Sequence, residues 1–220
     1  MVGTARAHGR PKNKARLLTP DELKLIHNYL GNQNTLISTR DDALLQIGFF
    51  GALRRSELVT FEVQHLIWNK SGVNILLPSS KTDQTHEGQH CAIPYGNQTL
   101  CPIRALNNWL DASGISQGAV FRRITLGDHI GHLALTPRTV NTILKKWARE
   151  ISLNNVEALS AHSLRRGLAT SAAASDATLP TIMRAGRWKQ TNTVLEYLEE
   201  RERFSDNAAS RVLKNMEEET

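Results

Sequence analysis

The 220-residue chain is long enough to bury one sizeable core or a core with a small satellite. Its 40% hydrophobic and 22% charged content are those of an ordinary folded protein, with no apolar run near the roughly 18 residues of a membrane span and no apolar secretory segment at the N-terminus. The net charge of +6 suits a polyphosphate partner, and Cys91 and Cys101, without CxxC or Cys/His spacing, argue for the reducing cytoplasm and against a disulfide framework or structural zinc.

Residues 1–17 have no periodic apolar pattern and carry Arg6, Arg10, Lys12, Lys14 and Arg16 before any acid. They read as a flexible basic arm or linker remnant, with Lys12, Lys14 and Arg16 as candidate contacts to such a polyphosphate, and residues 18–220 form the folded domain. Order begins at Thr19-Pro20-Asp21-Glu22, an N-cap, a proline at N1 and a glutamate at N3, which predicts a helix to about Leu30. Asp41 and Asp42 are expected to start a second helix, apolar all round and hence buried, as capping and dipole partners.

A short helix over 56–60 leads into strand-like runs at 63–67, 73–77 and 89–93. The turn at 69–72 and the loop at 78–88 make these a three-stranded antiparallel sheet with Lys81 near a hairpin tip. Pro102 starts a helix that Gly114 stops, 115–134 read as an irregular connection containing Arg122 and Arg123, and Thr136-Pro137 opens a strong helix to about Glu150. Helices follow near 162–174, 178–185, 191–200 and 205–216. The expected fold class is α+β and mostly α-helical, with no internal repeat.

The stretch 160–197, SAHSLRRGLATSAAASDATLPTIMRAGRWKQTNTVLEY, concentrates unusual chemistry. A phosphodiester repels nucleophiles, and its pentacoordinate transition state gathers charge on the equatorial oxygens, so cleavage without a metal needs several fixed cationic donors. Arg54, His162 and Arg165 are the candidates. Glu57, three residues after Arg54, can pair with it and orient its fork, and His162 and Arg165 share a helix face. Arg166 next door serves phosphate or merely solvates the helix.

Tyr197 supplies a phenol that packs in a core or attacks phosphorus; as a nucleophile it needs neighbouring cations to favour the phenolate. Its phosphoester product would store the energy of the broken bond, so rejoining needs no ATP. Lys81 on its loop is a solvated ammonium or the acid that protonates a leaving 5′-oxygen. Trp188 offers one N–H and a large apolar face.

Arg54 in GALRRSEL, Lys81 in SSKTDQ, His162-Ser163-Leu164-Arg165, Trp188 in AGRW and Tyr197 nine residues later resemble, in order and spacing, the signature of the tyrosine recombinases, or phage integrases. The resemblance covers about Thr19 to Leu213 and is nearest to Cre-type members, which also carry tryptophan where most integrases have histidine. It implies Tyr197 as nucleophile of a 3′-phosphotyrosyl bond and Arg54, His162 and Arg165 on the phosphate. It further implies Trp188 as hydrogen-bond donor, Lys81 as general acid, Glu57 as support for Arg54, and no cofactor or metal.

The partner implied is double-stranded DNA, contacted by Thr136 and Arg138 in LTPRTV and also by Arg166 and Arg187. A helix at 205–216 would contact a neighbouring protomer. Two departures are visible: HSLRRG carries arginine and glycine where many members have histidine and a small hydroxyl residue, and the family's helical core-binding domain is expected to be absent. The chain alone is accordingly expected to be monomeric with weak DNA affinity. The competing readings are a type IB topoisomerase and a silent DNA-binding module of the same fold; adjacent Asp41 and Asp42 make a poor metal-dependent transposase.

Overall fold

Helix α1 (Pro20–Gln33) starts where local chemistry dictates: the Thr19 hydroxyl accepts from the Glu22 N–H at 3.1 Å and the Glu22 carboxylate accepts from the Thr19 N–H at 3.0 Å. The structure is a computed structural model. It describes residues 15–78, 88–125 and 127–205, the side chains of 199–205 excepted. Lys81, Lys12, Lys14 and the helix expected at 205–216 therefore lie outside the described residues, apart from Ser205.

The organising element is α2 (Leu36–Phe50), packed by α1 on one side and by α4 (Pro102–Ser113) and α6 (Ala161–Ala174) on others. It begins at an N-cap on Thr35, not at Asp41. Both aspartates lie inside the helix and point to different partners. Asp41 is buried, accepting from Arg40 Nη2 at 2.6 Å and from the Trp147 indole at 2.7 Å, while Asp42 bonds His27 at 2.9 Å and Gln46. Tertiary pairing thus replaces the helix-end role that the sequence suggested.

Strands β1 (Leu66–Asn69), β2 (Gly72–Leu77) and β3 (Gln89–Pro94) form the expected antiparallel sheet in order β1-β2-β3, with Leu66 opposite Ile75 and Val73 opposite Ile93. The short α3 (Arg55–Thr60) precedes them. Residues 115–134 are not irregular throughout: β4 (Arg122–Ile124) and β5 (Ile130–Ala134) pair as a small hairpin leading into α5 (Pro137–Glu150). Strands this short carry no readable alternation, so only pairing reveals them.

Two cores result. The main one runs from Leu18 through α2 to α6; a small one joins Ala169 of α6, Ile182 of α7 (Leu179–Gly186), and Val194 and Tyr197 of α8 (Thr191–Ser205). The second core holds Tyr197 against α6. Gly167 allows α6 to approach this closely, because a Cβ there would lie 2.1 Å from the Leu18 carbonyl and 2.7 Å from the Phe49 ring. The glycine of HSLRRG therefore has a packing reason.

Candidate active site

Arg54 stands at the junction between α2 and α3. Helix α2 ends in a left-handed Ala52 (φ 43°), whose N–H bonds the Phe49 carbonyl, and the chain then turns so that Arg54 caps α3. Glu57, one turn into α3, accepts from the Arg54 backbone N–H at 2.8 Å and from Arg54 Nη1. The Arg54 side chain is half exposed, so its remaining donors face open space.

Helix α6 is capped by the Ser160 hydroxyl and by Asn141 of α5, whose Oδ1 accepts from the Ala161 N–H at 2.7 Å. That second cap ties the first turn, and hence His162, to α5. Arg165 lies one turn on and is only 3% exposed; its Nη1 donates to the Ala52 carbonyl and its guanidinium stacks 4.2 Å from the Trp188 ring. Burial, and then the charges of Arg54 and Arg187, push Arg165 below an ordinary guanidinium to about 10. It is still a cation at neutral pH.

Trp188 reaches this position through a sharp turn after α7. A Cβ on Gly186 would sit 1.9 Å from the indole, so glycine there lets the ring fold back over Arg165. The Tyr197 hydroxyl lies 2.9 Å from His162 Nε2, with the two rings edge to face. The nucleophile candidate is thereby supplied by the same chain that supplies the cations.

Beside His162 is a cleft of about 250 Å³ bordered by Leu53, Arg54, Asn141, Ser160, His162 and Arg165; Tyr197 and Trp188 are not in its lining but touch His162 and Arg165. It adjoins a larger groove of about 930 Å³ along α5, lined by Arg138, Thr142, Lys145 and Arg149, and the two share Asn141 and Ser160. The sequence reading passed over Asn141. Its spacing from Arg138, i and i+3 on one helix, was the available signal.

The titrations are informative. Burial raises Tyr197 above an ordinary phenol, outweighing the charges of Arg165 and Arg166 and a hydrogen bond with Trp188. Cations do surround the phenol, as expected, but the resting group is neutral and must lose its proton during attack. Desolvation, helped by the charges of Arg165 and Arg166, lowers His162 below 6.5 and keeps its imidazole neutral near pH 7. A neutral imidazole at hydrogen-bond distance is a competent base for that proton.

This shift has a sign for stability. A histidine whose folded pKa is depressed binds protons more readily when unfolded, so it costs stability as pH falls below 6.5. His27 acts oppositely, since its hydrogen bond to Asp42 raises its pKa and stabilises the folded chain at acid pH. Comparing wild type with His162→Gln isolates the first effect: the variant's melting temperature is expected to fall less between about pH 7.5 and 5.5. Parallel curves would refute this assignment.

Three of the expected DNA contacts are engaged inside the protein. Arg16 donates to both Glu22 carboxylate oxygens, at 2.9 and 3.0 Å. Arg166 is 2% exposed, donates to the Ala15 carbonyl and lies beneath the Tyr197 ring. Arg187 donates to Glu57 and to backbone carbonyls. In sequence a guanidinium that will meet phosphate looks the same as one that will meet its own chain's oxygens. Thr136 and Arg138 do lie exposed, at the start of α5 beside the groove.

The sequence model of the Phage integrase family matches residues 16–203. The chain belongs to the phage integrase family. A curated relative, the integrase/recombinase xerD homolog of Selenomonas ruminantium, is 41% identical to this integrase-family chain over 184 residues, covering 83% of the chain and 54% of the relative. The chain thus spans about half the length of that relative.

Solved structures place the integrase fold beyond sequence similarity. A XerH site-specific recombinase bound to its difH substrate matches with a TM-score of 0.62 at 18% identity, covering 84% of this chain and 50% of that one. The XerA recombinase matches at 0.64 and 14% identity, covering 90% and 66%. The mostly helical fold with a small antiparallel sheet is the integrase catalytic fold.

Proposed function

We propose that this chain is the catalytic domain of a site-specific DNA recombinase, residues 18–220 forming the domain and 1–17 a basic arm or linker remnant. The observation that carries this is the Tyr197 hydroxyl at 2.9 Å from a neutral His162, at the edge of a cleft holding Arg54 and Arg165. The relatives' names as integrases and recombinases support the same reading.

The scissile phosphate occupies the cleft, where Arg54 and Arg165 bind its non-bridging oxygens and offset the charge that develops on them. His162 takes the phenol proton as the Tyr197 oxygen bonds phosphorus. The bond from phosphorus to the 5′-oxygen breaks, and that oxygen leaves as a hydroxyl on a proton from Lys81, which lies in sequence between β2 and β3. A 3′-phosphotyrosyl ester remains, and attack by a 5′-hydroxyl reverses each transfer without ATP. Trp188 packs against Arg165, and its single N–H, bonded to Tyr197 in the free chain, passes to the phosphate as the phenol attacks.

Double-stranded DNA lies along the α5 groove, contacted by Thr136 and Arg138. Residues 205–216 meet a neighbouring protomer, and the reaction takes place on chromosomal or mobile-element DNA in the cytoplasm.

The test uses a duplex selected by this chain from a random pool, nicked so that cleavage releases a short fragment. A denaturant-resistant protein–DNA adduct is expected, undiminished by a chelator and mapping by peptide mass to residue 197. Tight binding with no adduct would leave a silent DNA-binding module, and relaxation of any supercoiled plasmid regardless of sequence would indicate a topoisomerase.

A further inference from the structure

We propose that Arg187 is a positioning residue that holds Arg54 in the phosphate cleft through Glu57. This rests on the reading of the cleft as a strand-cleaving centre. The Arg187 side chain is 8% exposed against 51% for Arg54, so it sits behind the cleft and not on its DNA side. Its Nη2 donates to Glu57 Oε2 at 3.1 Å and its Nη1 to the carbonyls of Gly51 at 3.2 Å and Ala185 at 3.1 Å. Glu57 in turn accepts from the backbone and side chain of Arg54. One carboxylate thus joins two guanidiniums.

Electrostatics gives the arrangement its purpose. A Glu57 carboxylate paired with Arg54 alone would cancel that charge beside a phosphate that needs it. A second guanidinium leaves the Arg54–Glu57–Arg187 group at a net +1 while Glu57 still orients the fork. The carbonyls of Gly51 and of left-handed Ala52 form the negative end of α2, where Arg165 also donates, so Arg187 clamps the turn that leads into Arg54.

Backbone strain points the same way. Arg187 occupies left-handed space at φ 56°, as the C-cap of α7, where glycine is the easier residue. An arginine there carries that backbone cost while its side chain meets Glu57 and the Gly51 carbonyl.

The experiment compares wild type, Arg187→Ala, Arg187→Lys, Arg54→Ala and the double alanine variant on the pool-selected duplex. Arg187→Ala is expected to slow adduct formation about 100-fold, as a displaced catalytic group does. DNA affinity and its salt dependence should stay unchanged. In the Arg54→Ala background the second substitution should add nothing, because both act through one guanidinium. Arg187→Lys should recover part of the rate.

Glu57 supplies a pH signature. Burial raises its pKa, but the Arg54 backbone N–H and the Arg187 charge hold it below an ordinary carboxylate. Without Arg187 the adduct rate should therefore fall at a higher pH on the acid side. A DNA-free readout stands beside these: the Arg54 Nη–H signals in ¹⁵N NMR, one of which Glu57 holds, should exchange faster with solvent in Arg187→Ala, or in Arg187→Lys if the alanine variant does not fold.

Weaker DNA binding with a salt slope reduced by about one, at an unchanged cleavage rate, would make Arg187 a phosphate contact and overturn the proposal. An equal loss in the Arg54→Ala background, or an unchanged Arg54 signal, would overturn it as well. Wild type that forms no adduct would instead count against the cleft's function, leaving the NMR comparison to decide the role of Arg187.

Discussion

Tyr197→Phe is expected to abolish the covalent DNA adduct while the chain remains folded and binds DNA as before. The ring sits in the small core with Ala169, Ile182 and Val194, and phenylalanine fills the same space. What disappears is the hydroxyl and its hydrogen bond to His162, a stability loss of about 1 kcal/mol. No other group at that position can attack phosphorus, so the catalytic loss should reach the detection limit. A denaturing gel of the trapped reaction and a thermal melt of the free protein check both halves. An adduct that persisted in the phenylalanine variant would place the nucleophile elsewhere.

Arg165→Met should show the opposite pairing of costs: cleavage falls by about 10³-fold, the loss expected for a transition-state donor, while stability stays level or rises. Arg165 is buried among other cations, and a pKa pushed down to about 10 corresponds to a folding cost on the order of 3 kcal/mol at neutral pH. Its hydrogen bond to Ala52 and its stacking on Trp188 return only part of this. Methionine keeps the apolar stem against the indole and removes the buried charge. Arg165→Lys would retain charge without the planar fork, and should not restore the rate. Denaturant unfolding beside single-turnover cleavage measures both; a methionine variant several kcal/mol less stable would show that the guanidinium is a net structural asset.

Parts of the molecule are encoded within a single turn of chain. Thr19 and Glu22 satisfy each other within one turn, so the start of α1 needs no distant partner and is written locally. The same holds for Gly114, whose left-handed φ of 64° ends α4, and for the alternation that builds the three-stranded sheet. His162 and Arg165 share α6, and the Trp188 and Tyr197 rings meet edge to face at 6.1 Å. Asp41 failed as a helix start because its carboxylate meets Arg40 and Trp147, the latter 106 residues away.

The sequence alone determined the inventory of chemistry and its order: a phenol, an imidazole, arginines and an indole set on helices whose ends are locally encoded. Only the tertiary structure decided which guanidiniums face the cleft and which face the protein. Arg54 is left half open, while Arg16, Arg166 and Arg187 turn to carboxylates and carbonyls of their own chain. Charge along a chain is a one-dimensional property, and the partner of a charge is chosen by packing that brings together residues far apart in it.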